Sequence, residues 1–150
     1  MTRVTWKQLL ASNRVRPHTT SKQELDALRS IVERDLVDAG LAGLSDDRRF
    51  ATAYNAALQL AKIAIACAGY RVSGLGAHQT SFEAAELFMG TSVSALTLYF
   101  ETCRRKRNTL DYDAANIISD GEATEILQKA KEFRQEVEAW IAENHPQHVS

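Results

Sequence analysis

Apolar residues recur every three or four positions along most of this 150-residue chain, which is the spacing of one face of an α-helix. No segment shows the alternation of apolar and polar residues that is typical of a half-buried strand. The intervals between the apolar runs are short, which favours antiparallel neighbours. The sequence therefore predicts an all-α fold, an up-and-down helical bundle of four main helices plus one or two short helices. The main helices are expected over residues 21–39, 45–68, 91–107 and 119–143, and the short ones over residues 5–12 and 80–88.

Three of the predicted helix starts carry serine or threonine followed three residues later by glutamate. In such a capping box, the hydroxyl and the carboxylate each accept a hydrogen bond from a backbone N–H that the helix leaves free. Glycine after a helical run favours a helix end, as at Gly40, Gly69 and Gly90. Residues 13–20, which include Pro17, are expected to form a linker. The predicted capping boxes are Ser21 with Glu24, Thr80 with Glu83, and Ser119 with Glu122.

The helix predicted over residues 45–68 is rich in alanine and carries larger apolar side chains along one face. Small side chains allow neighbouring helices to approach closely, so this helix is expected at the centre of the bundle. Its apolar run over residues 56–70 is too short to span a bilayer and contains Gln59 and Lys62. The chain also begins without an apolar signal core. We therefore expect a cytoplasmic protein that does not enter a membrane.

Length and composition favour one domain. Within it we expect an N-terminal helical extension over residues 1–44, a helical bundle over residues 45–143 and a polar, frayed tail over residues 144–150. The net charge of −1 creates no general field that would attract nucleic acid, so a polyanion would need a local basic patch. Cys67 and Cys103 lie within apolar helical runs and are expected to be buried free thiols.

The densest charge in the chain lies between residues 99 and 113. Cations at a helix C-terminus satisfy the last backbone carbonyls, which is one role for this cluster. Arg104 and Arg107 share a helix face and present the planar donors that bind phosphate. If the helix continues past Arg107, an internal ion pair with Asp111 is the competing interpretation. The cluster comprises Arg104, Arg105, Lys106 and Arg107, and then Asn108, Asp111, Tyr112 and Asp113 in a loop predicted over residues 108–118.

A second predicted loop, over residues 70–79, contains Arg71 and His78. Its Gly-Leu-Gly sequence lacks both the spacing and the preceding strand of a phosphate-binding loop. The other histidines lie in the linker or the tail, at no recognised metal-site spacing from the cysteines. The sequence therefore predicts no metal site and no cofactor.

In three features, residues 45–142 resemble a HEPN domain, a small up-and-down helical bundle that is usually a homodimer. The first is the alanine-rich helix of residues 48–71, which ends in Gly-Tyr-Arg. The second is His78, just before the following helix. The third is the segment Arg107-Asn108-Thr109-Leu110-Asp111-Tyr112-Asp113, followed by a loop and the capped last helix from Ser119.

HEPN proteins are commonly RNA-cleaving toxins or nucleotide-binding partners of small nucleotidyltransferases in toxin–antitoxin pairs. The ribonuclease signature of the family is Arg, a polar residue, a few further residues and His. Arg107 and Asn108 match its start, and Tyr112 stands where the His would be, as in a HEPN subgroup that lacks it. The resemblance implies a module that binds nucleotide or RNA phosphate and pairs with a nucleotidyltransferase-like protein, without being a competent ribonuclease.

The resemblance also implies the site residues and leaves two alternatives. In the first, the protein is an active metal-independent endoribonuclease in which Arg107 stabilises the phosphorane charge and Tyr112 or His78 assists proton transfer. In the second, it is a purely structural protein-interaction module. The residues expected to bind nucleotide or RNA are Arg104, Arg107, Asn108, Asp111, Tyr112, Arg71 and His78, and those expected to act in any catalysis are Arg107 and Tyr112.

Overall fold

The computed structural model of this chain describes the backbone of residues 4–74, 76–112 and 118–150, and the side chains of these residues except 107–112. Helices dominate, which confirms the all-α prediction. Short 3-10 turns lie at Thr91–Val93 and Pro146–His148. The helices are α1 Trp6–Ala11, α2 Lys22–Asp38, α3 Asp46–Cys67, α4 Ala77–Met89, α5 Ser94–Tyr112 and α6 Asp120–Asn144, and two short strands are β1 Val15–Pro17 and β2 Tyr70–Val72.

Hydroxyl caps start four of the helices. Thr5, Ser21, Ser45 and Ser119 each accept a hydrogen bond from the backbone N–H three residues later, which satisfies one of the free donors of the first turn. The capping box predicted at Ser119 is complete. At Ser21 only the hydroxyl half forms, because the carboxylate of Glu24 accepts from Thr20 and His18 instead.

The capping box predicted for Thr80 and Glu83 is wrong. Helix α4 begins earlier, at Ala77, after Gly76 in the left-handed conformation with φ of 74°, which glycine adopts at little cost. Thr80 therefore lies inside the helix, where it is buried. A hydroxyl-x-x-glutamate pattern fits a helix interior as well as a helix start, and here the glycine decides the boundary.

Helix α3 occupies the centre of the bundle, as its alanine content predicts. It packs against α2, α4, α5, α6 and β2. Because α2 lies directly on α3, the predicted N-terminal extension shares the core of the bundle. A chain of aromatic rings, Phe82, Phe100 and Phe133, joins α4, α5 and α6 at centroid distances of 5.5 Å. The fully buried alanines of α3 are Ala53, Ala56, Ala57, Ala61 and Ala64.

Strands β1 and β2 form an antiparallel ribbon that the sequence analysis assigned to a linker and a loop. Val15 pairs with Val72, Arg16 with Arg71, and Pro17 with Tyr70. Three-residue strands are too short to show an alternating pattern, and a proline is tolerated on an edge strand. The ribbon is held by a small apolar cluster in which the ring of Trp6 lies 4.7 Å from those of Tyr70 and Phe88.

Two further predictions are wrong, one about the end of α5 and one about the C-terminal tail. Helix α5 continues to Tyr112, so residues 108–112 are helical rather than a loop. They contain no glycine or proline that would end a helix. Residues 113–117, which include Asp113, lie outside the described residues. The tail expected to fray docks on α2, because the carbonyl of His148 accepts from Nη2 of Arg29 at 2.7 Å.

The apolar run judged too short to span a bilayer belongs to a longer helix. With 22 residues, α3 is long and apolar enough to cross a membrane by length and composition alone, and it is the one such helix in the described part of the chain. However, 72% of its most apolar window is buried inside the bundle. Helices at the centre of soluble bundles have the same composition.

Enlarging a buried alanine of α3 is expected to destabilise the protein. Ala61 is fully buried, so Ala61→Leu should lower the free energy of unfolding by about 1–3 kcal/mol through overpacking. Ala142→Leu on the exposed face of α6 is the matched control, with an expected change within about 0.5 kcal/mol. Urea unfolding followed by circular dichroism measures both values. Equal effects of the two substitutions would show that α3 is not tightly packed.

Candidate functional site

The basic segment predicted to form the site lies on one continuous helix. Positions 107 and 108 of α5 follow position 104 by three and four residues and precede position 111 by four and three, so the four positions lie along one stripe of the helix. The side chains of Arg107, Asn108, Asp111 and Tyr112 lie outside the described ones, whereas those of Arg104 to Lys106 are described. The structure thus gives the positions of the predicted site residues along α5, and it gives side-chain contacts for residues 104 to 106.

Among the cations whose side chains are described, Arg104 and Lys106 each pair with a neighbouring carboxylate. Nε of Arg104 lies 3.3 Å from Oε2 of Glu101 in the same helix. Lys106 pairs with Glu122 in the first turn of α6, and this pair is the main cause of the lowered pKa of Glu122. Arg105 is exposed. Part of the basic cluster therefore stabilises the bundle itself, which agrees with the interpretation of these cations as partners for local charge.

Arg104 lies beside one of two half-buried glutamates, Glu83 and Glu101, whose interaction the sequence does not predict. Burial raises the pKa of Glu83 in α4, Arg14 opposes this shift, and the charge of Glu101 adds to it. Oε1 of Glu83 and Oε1 of Glu101 are buried without a hydrogen-bond partner among the described residues. A guanidinium beside Glu101 reduces the cost of burying these carboxylates between α4 and α5. No local pattern could reveal this pair, because the two residues meet only when the helices pack.

Arg71 and His78 lie on different elements and have different described neighbours. Arg71 is exposed on β2, where its charge acts on Glu24. His78 lies in the first turn of α4, with Nδ1 3.5 Å from the hydroxyl of Tyr54 and ring centroids 6.0 Å apart. The prediction that both contribute to one site with α5 stays a prediction.

Arg71 lines a pocket of about 240 Å³ between α2, α3 and β2, which we call the ribbon pocket. Glu24 dominates its polar side, with Oε1 2.6 Å from the hydroxyl of Thr20 and 2.9 Å from Nε2 of His18. The hydroxyl of Thr20 is the main cause of the lowered pKa of Glu24, followed by His18 and then Arg71. The other lining residues are Leu28, Lys62, Ile65, Ala66, Tyr70 and Val72.

A larger cleft of about 470 Å³ lies between α2, α3 and α6. Arg29 donates to both carboxylate oxygens of Glu138 at 2.9 Å, and Arg134 pairs with Glu33 at 2.7 Å. Since both arginines bridge α2 and α6 through their own carboxylates, this cleft has little unbalanced charge with which to attract an ionic ligand.

The thiols offer no reactive group in the folded protein. Cys67 and Cys103 are free and buried, as predicted. Burial raises the pKa of each thiol to about 11, so both are protonated near neutral pH and are poor nucleophiles. Among the residues that the structure describes, no group of three His, Cys, Asp or Glu side chains is placed to hold a metal ion.

The lowered pKa of Glu24 predicts acid sensitivity. A carboxylate whose pKa is depressed by folding contributes stability above its ordinary value of 4.5, and this contribution is lost as the pH falls through the folded-state pKa. The free energy of unfolding of the wild type should therefore fall more between about pH 6 and about pH 3 than that of Glu24→Gln. Urea unfolding across this range measures both, with the exposed Glu143→Gln as control. Identical slopes for the wild type and Glu24→Gln would contradict the assignment.

Comparison with known proteins adds no relative: no family model, no curated protein and no solved structure matches this chain. The HEPN resemblance is therefore carried by its residues alone, and the function that it implies is a proposal.

Proposed function

We propose that this chain is a HEPN-like helical module that binds nucleotide or RNA phosphate through α5 and pairs with a nucleotidyltransferase-like partner in a toxin–antitoxin type of system. The observation that carries the proposal is the run of four cations from Arg104 to Arg107, followed by Asn108, on one continuous helix. The same helix puts Asp111 one turn beyond Arg107, so a phosphate has to compete with an i, i+4 ion pair between these two residues. Arg107 and Asn108 lie in the same helix as the exposed Arg105. Cationic and amide donors can then follow a phosphate backbone along one helix of an otherwise neutral protein.

The division of charge along α5 favours Arg107 as the main phosphate ligand. Arg104 and Lys106 are engaged by Glu101 and Glu122, so their charges are already balanced in part. A guanidinium suits the role because its planar donors match two phosphate oxygens at once. Asn108, the next residue, supplies an amide that can donate to the same group.

Tyr112 in place of the signature His favours binding over cleavage. A phenol has a pKa of about 10 and is a poor general base at neutral pH. It can still donate a hydrogen bond to a phosphate or stack on a base. His78 on α4 could supply an imidazole, and its Nδ1 lies 3.5 Å from the hydroxyl of Tyr54. We therefore propose that the module holds its ligand without cleaving it.

The proposal includes a homodimer. Leu98 on α5 is 66% exposed, the most of the large apolar side chains exposed in the described part of the chain. A symmetric contact through this helix would bury Leu98 and bring two copies of the basic segment near one cleft. The doubled local charge would compensate for the low net charge of the single chain.

Labelled single-stranded RNA tests this proposal. The wild type should bind the RNA without cleaving it, and Arg107→Ala should weaken binding roughly tenfold, as expected for a lost charge-assisted hydrogen bond. Arg48→Ala, which removes an exposed arginine from the first turn of α3, is the matched control and should bind like the wild type. Binding is measured by fluorescence anisotropy at fixed salt, and cleavage by gel electrophoresis.

Two other results would replace the proposal with its alternatives. Cleavage by the wild type that disappears in Arg107→Ala would make the protein an endoribonuclease, and Tyr112→Phe and His78→Ala would then identify the proton donor or acceptor. If the folded wild-type protein neither binds nor cleaves the RNA, the structural protein-interaction module remains as the interpretation.

A further inference from the structure

We propose that the ribbon pocket binds a small organic phosphate, a phosphate monoester carried on an apolar body. The pocket lies between α2, α3 and β2, and the inference does not depend on the site proposed on α5. It rests on three observations: a pair of like charges opposite each other on the ribbon, an excess of positive charge around the pocket, and a rigid apolar floor beside that charge.

The register of the ribbon places two arginines directly opposite each other. Arg16 on β1 pairs with Arg71 on β2, and side chains of directly paired residues lie on the same face of an antiparallel ribbon. Both residues are exposed. Like charges in this arrangement destabilise a ribbon unless an anion lies between them. In the described part of the chain, neither arginine forms an ion pair.

Lys62 adds a third cation from the central helix. It is half-buried at the wall of the pocket and, within the described ranges, has no ion-pair partner. The one carboxylate of the pocket, Glu24, is turned towards Thr20 and His18. Among the lining residues, Lys62 and Arg71 are cations and Glu24 is an anion, so with His18 counted as neutral the lining has a formal charge of +1. Arg16 does not line the pocket, but it lies opposite Arg71 on β1 and brings the formal charge around the pocket to +2. A phosphate monoester carries about −1.5 to −2 near neutral pH and so matches this excess.

The apolar part of the pocket explains why we infer an organic phosphate rather than a free ion. Ile65 and Ala66 of α3 are buried and form the floor with Leu28 of α2. Tyr70 is held from the far side by Trp6 and Phe88, at centroid distances of 4.7 Å and 5.7 Å. An aromatic wall that is fixed in this way is prepared for an apolar ligand without further ordering.

Comparison with the larger cleft supports the choice of the ribbon pocket. The arginines of that cleft, Arg29 and Arg134, are bound by Glu138 and Glu33, so an anion would have to displace an existing partner. In the described part of the chain, the cations of the ribbon pocket form no ion pair, and the charge of Arg71 acts on Glu24 only from beyond ion-pair distance. Electrostatic attraction therefore favours an anion at the smaller pocket, although the larger cleft has about twice the volume.

Titration of the full chain with phenyl phosphate, followed by NMR or calorimetry, tests the inference. Binding should saturate below about 1 mM. Benzyl alcohol, which lacks the charge, and inorganic phosphate, which lacks the apolar body, should each bind at least tenfold more weakly. Lys62→Gln and Arg71→Gln should each weaken the binding of phenyl phosphate at least tenfold. The matched controls, Lys131→Gln and Arg48→Gln, remove exposed cations elsewhere and should leave it unchanged.

Stability distinguishes a binding role of Arg71 from a structural one. Because Arg71→Gln removes a like-charge contact with Arg16, its thermal midpoint at low salt should equal or exceed that of the wild type, and Arg16→Gln should behave in the same way. Arg107→Ala should bind phenyl phosphate normally, which separates this pocket from the site on α5. Three results would overturn the inference: phenyl phosphate does not bind saturably, benzyl alcohol binds as tightly as phenyl phosphate, or the pocket variants bind phenyl phosphate as tightly as the wild type. A lower midpoint in Arg71→Gln with unchanged binding would also overturn it.

Discussion

The burial of α3 is the constraint on which the rest of the structure depends. Its alanines let four helices and the ribbon approach one axis, and any larger side chain there would separate them. The same packing determines which polar residues of α3 can reach the surface. Lys62 is one of them, and it emerges at the ribbon pocket. A central helix that is narrow and apolar thus sets both the stability of the bundle and the position of a cation near its edge.

Charge is used in two ways in this protein. Arg29, Arg104 and Lys106 each face a carboxylate, so they join helices or balance buried acids. Arg16 and Arg71 face each other across two strands instead. Because the net charge is close to zero, most cations can find an acidic partner, and a group of cations that forms no ion pair in the described part of the chain is informative. This contrast is the physical basis for preferring the ribbon pocket to the larger cleft.

Helix existence was predictable, whereas several boundaries and the ribbon were not. The caps at Ser21 and Ser119 lie where the sequence predicts them, because capping involves residues within one turn. The predicted start of α4 was wrong because a Thr-x-x-Glu pattern does not distinguish a cap from a helix interior. The predicted end of α5 was also wrong. The ribbon escaped prediction because its strands are only three residues long, and because helices α2 and α3 separate Val15 from its partner Val72 along the chain.

Local periodicity was sufficient to establish an all-α bundle with an alanine-rich helix at its centre, because helical spacing and alanine content are properties of neighbouring residues. Local periodicity was not sufficient to predict which charged residues meet in the folded protein. Arg29 and Glu138 are separated by 109 residues, and Arg16 meets Arg71 only through the pairing of two strands. Whether a cation is neutralised or left to bind a ligand depends on which residues packing brings within a few ångströms. Electrostatic interactions at that range follow distance in space and not distance along the chain.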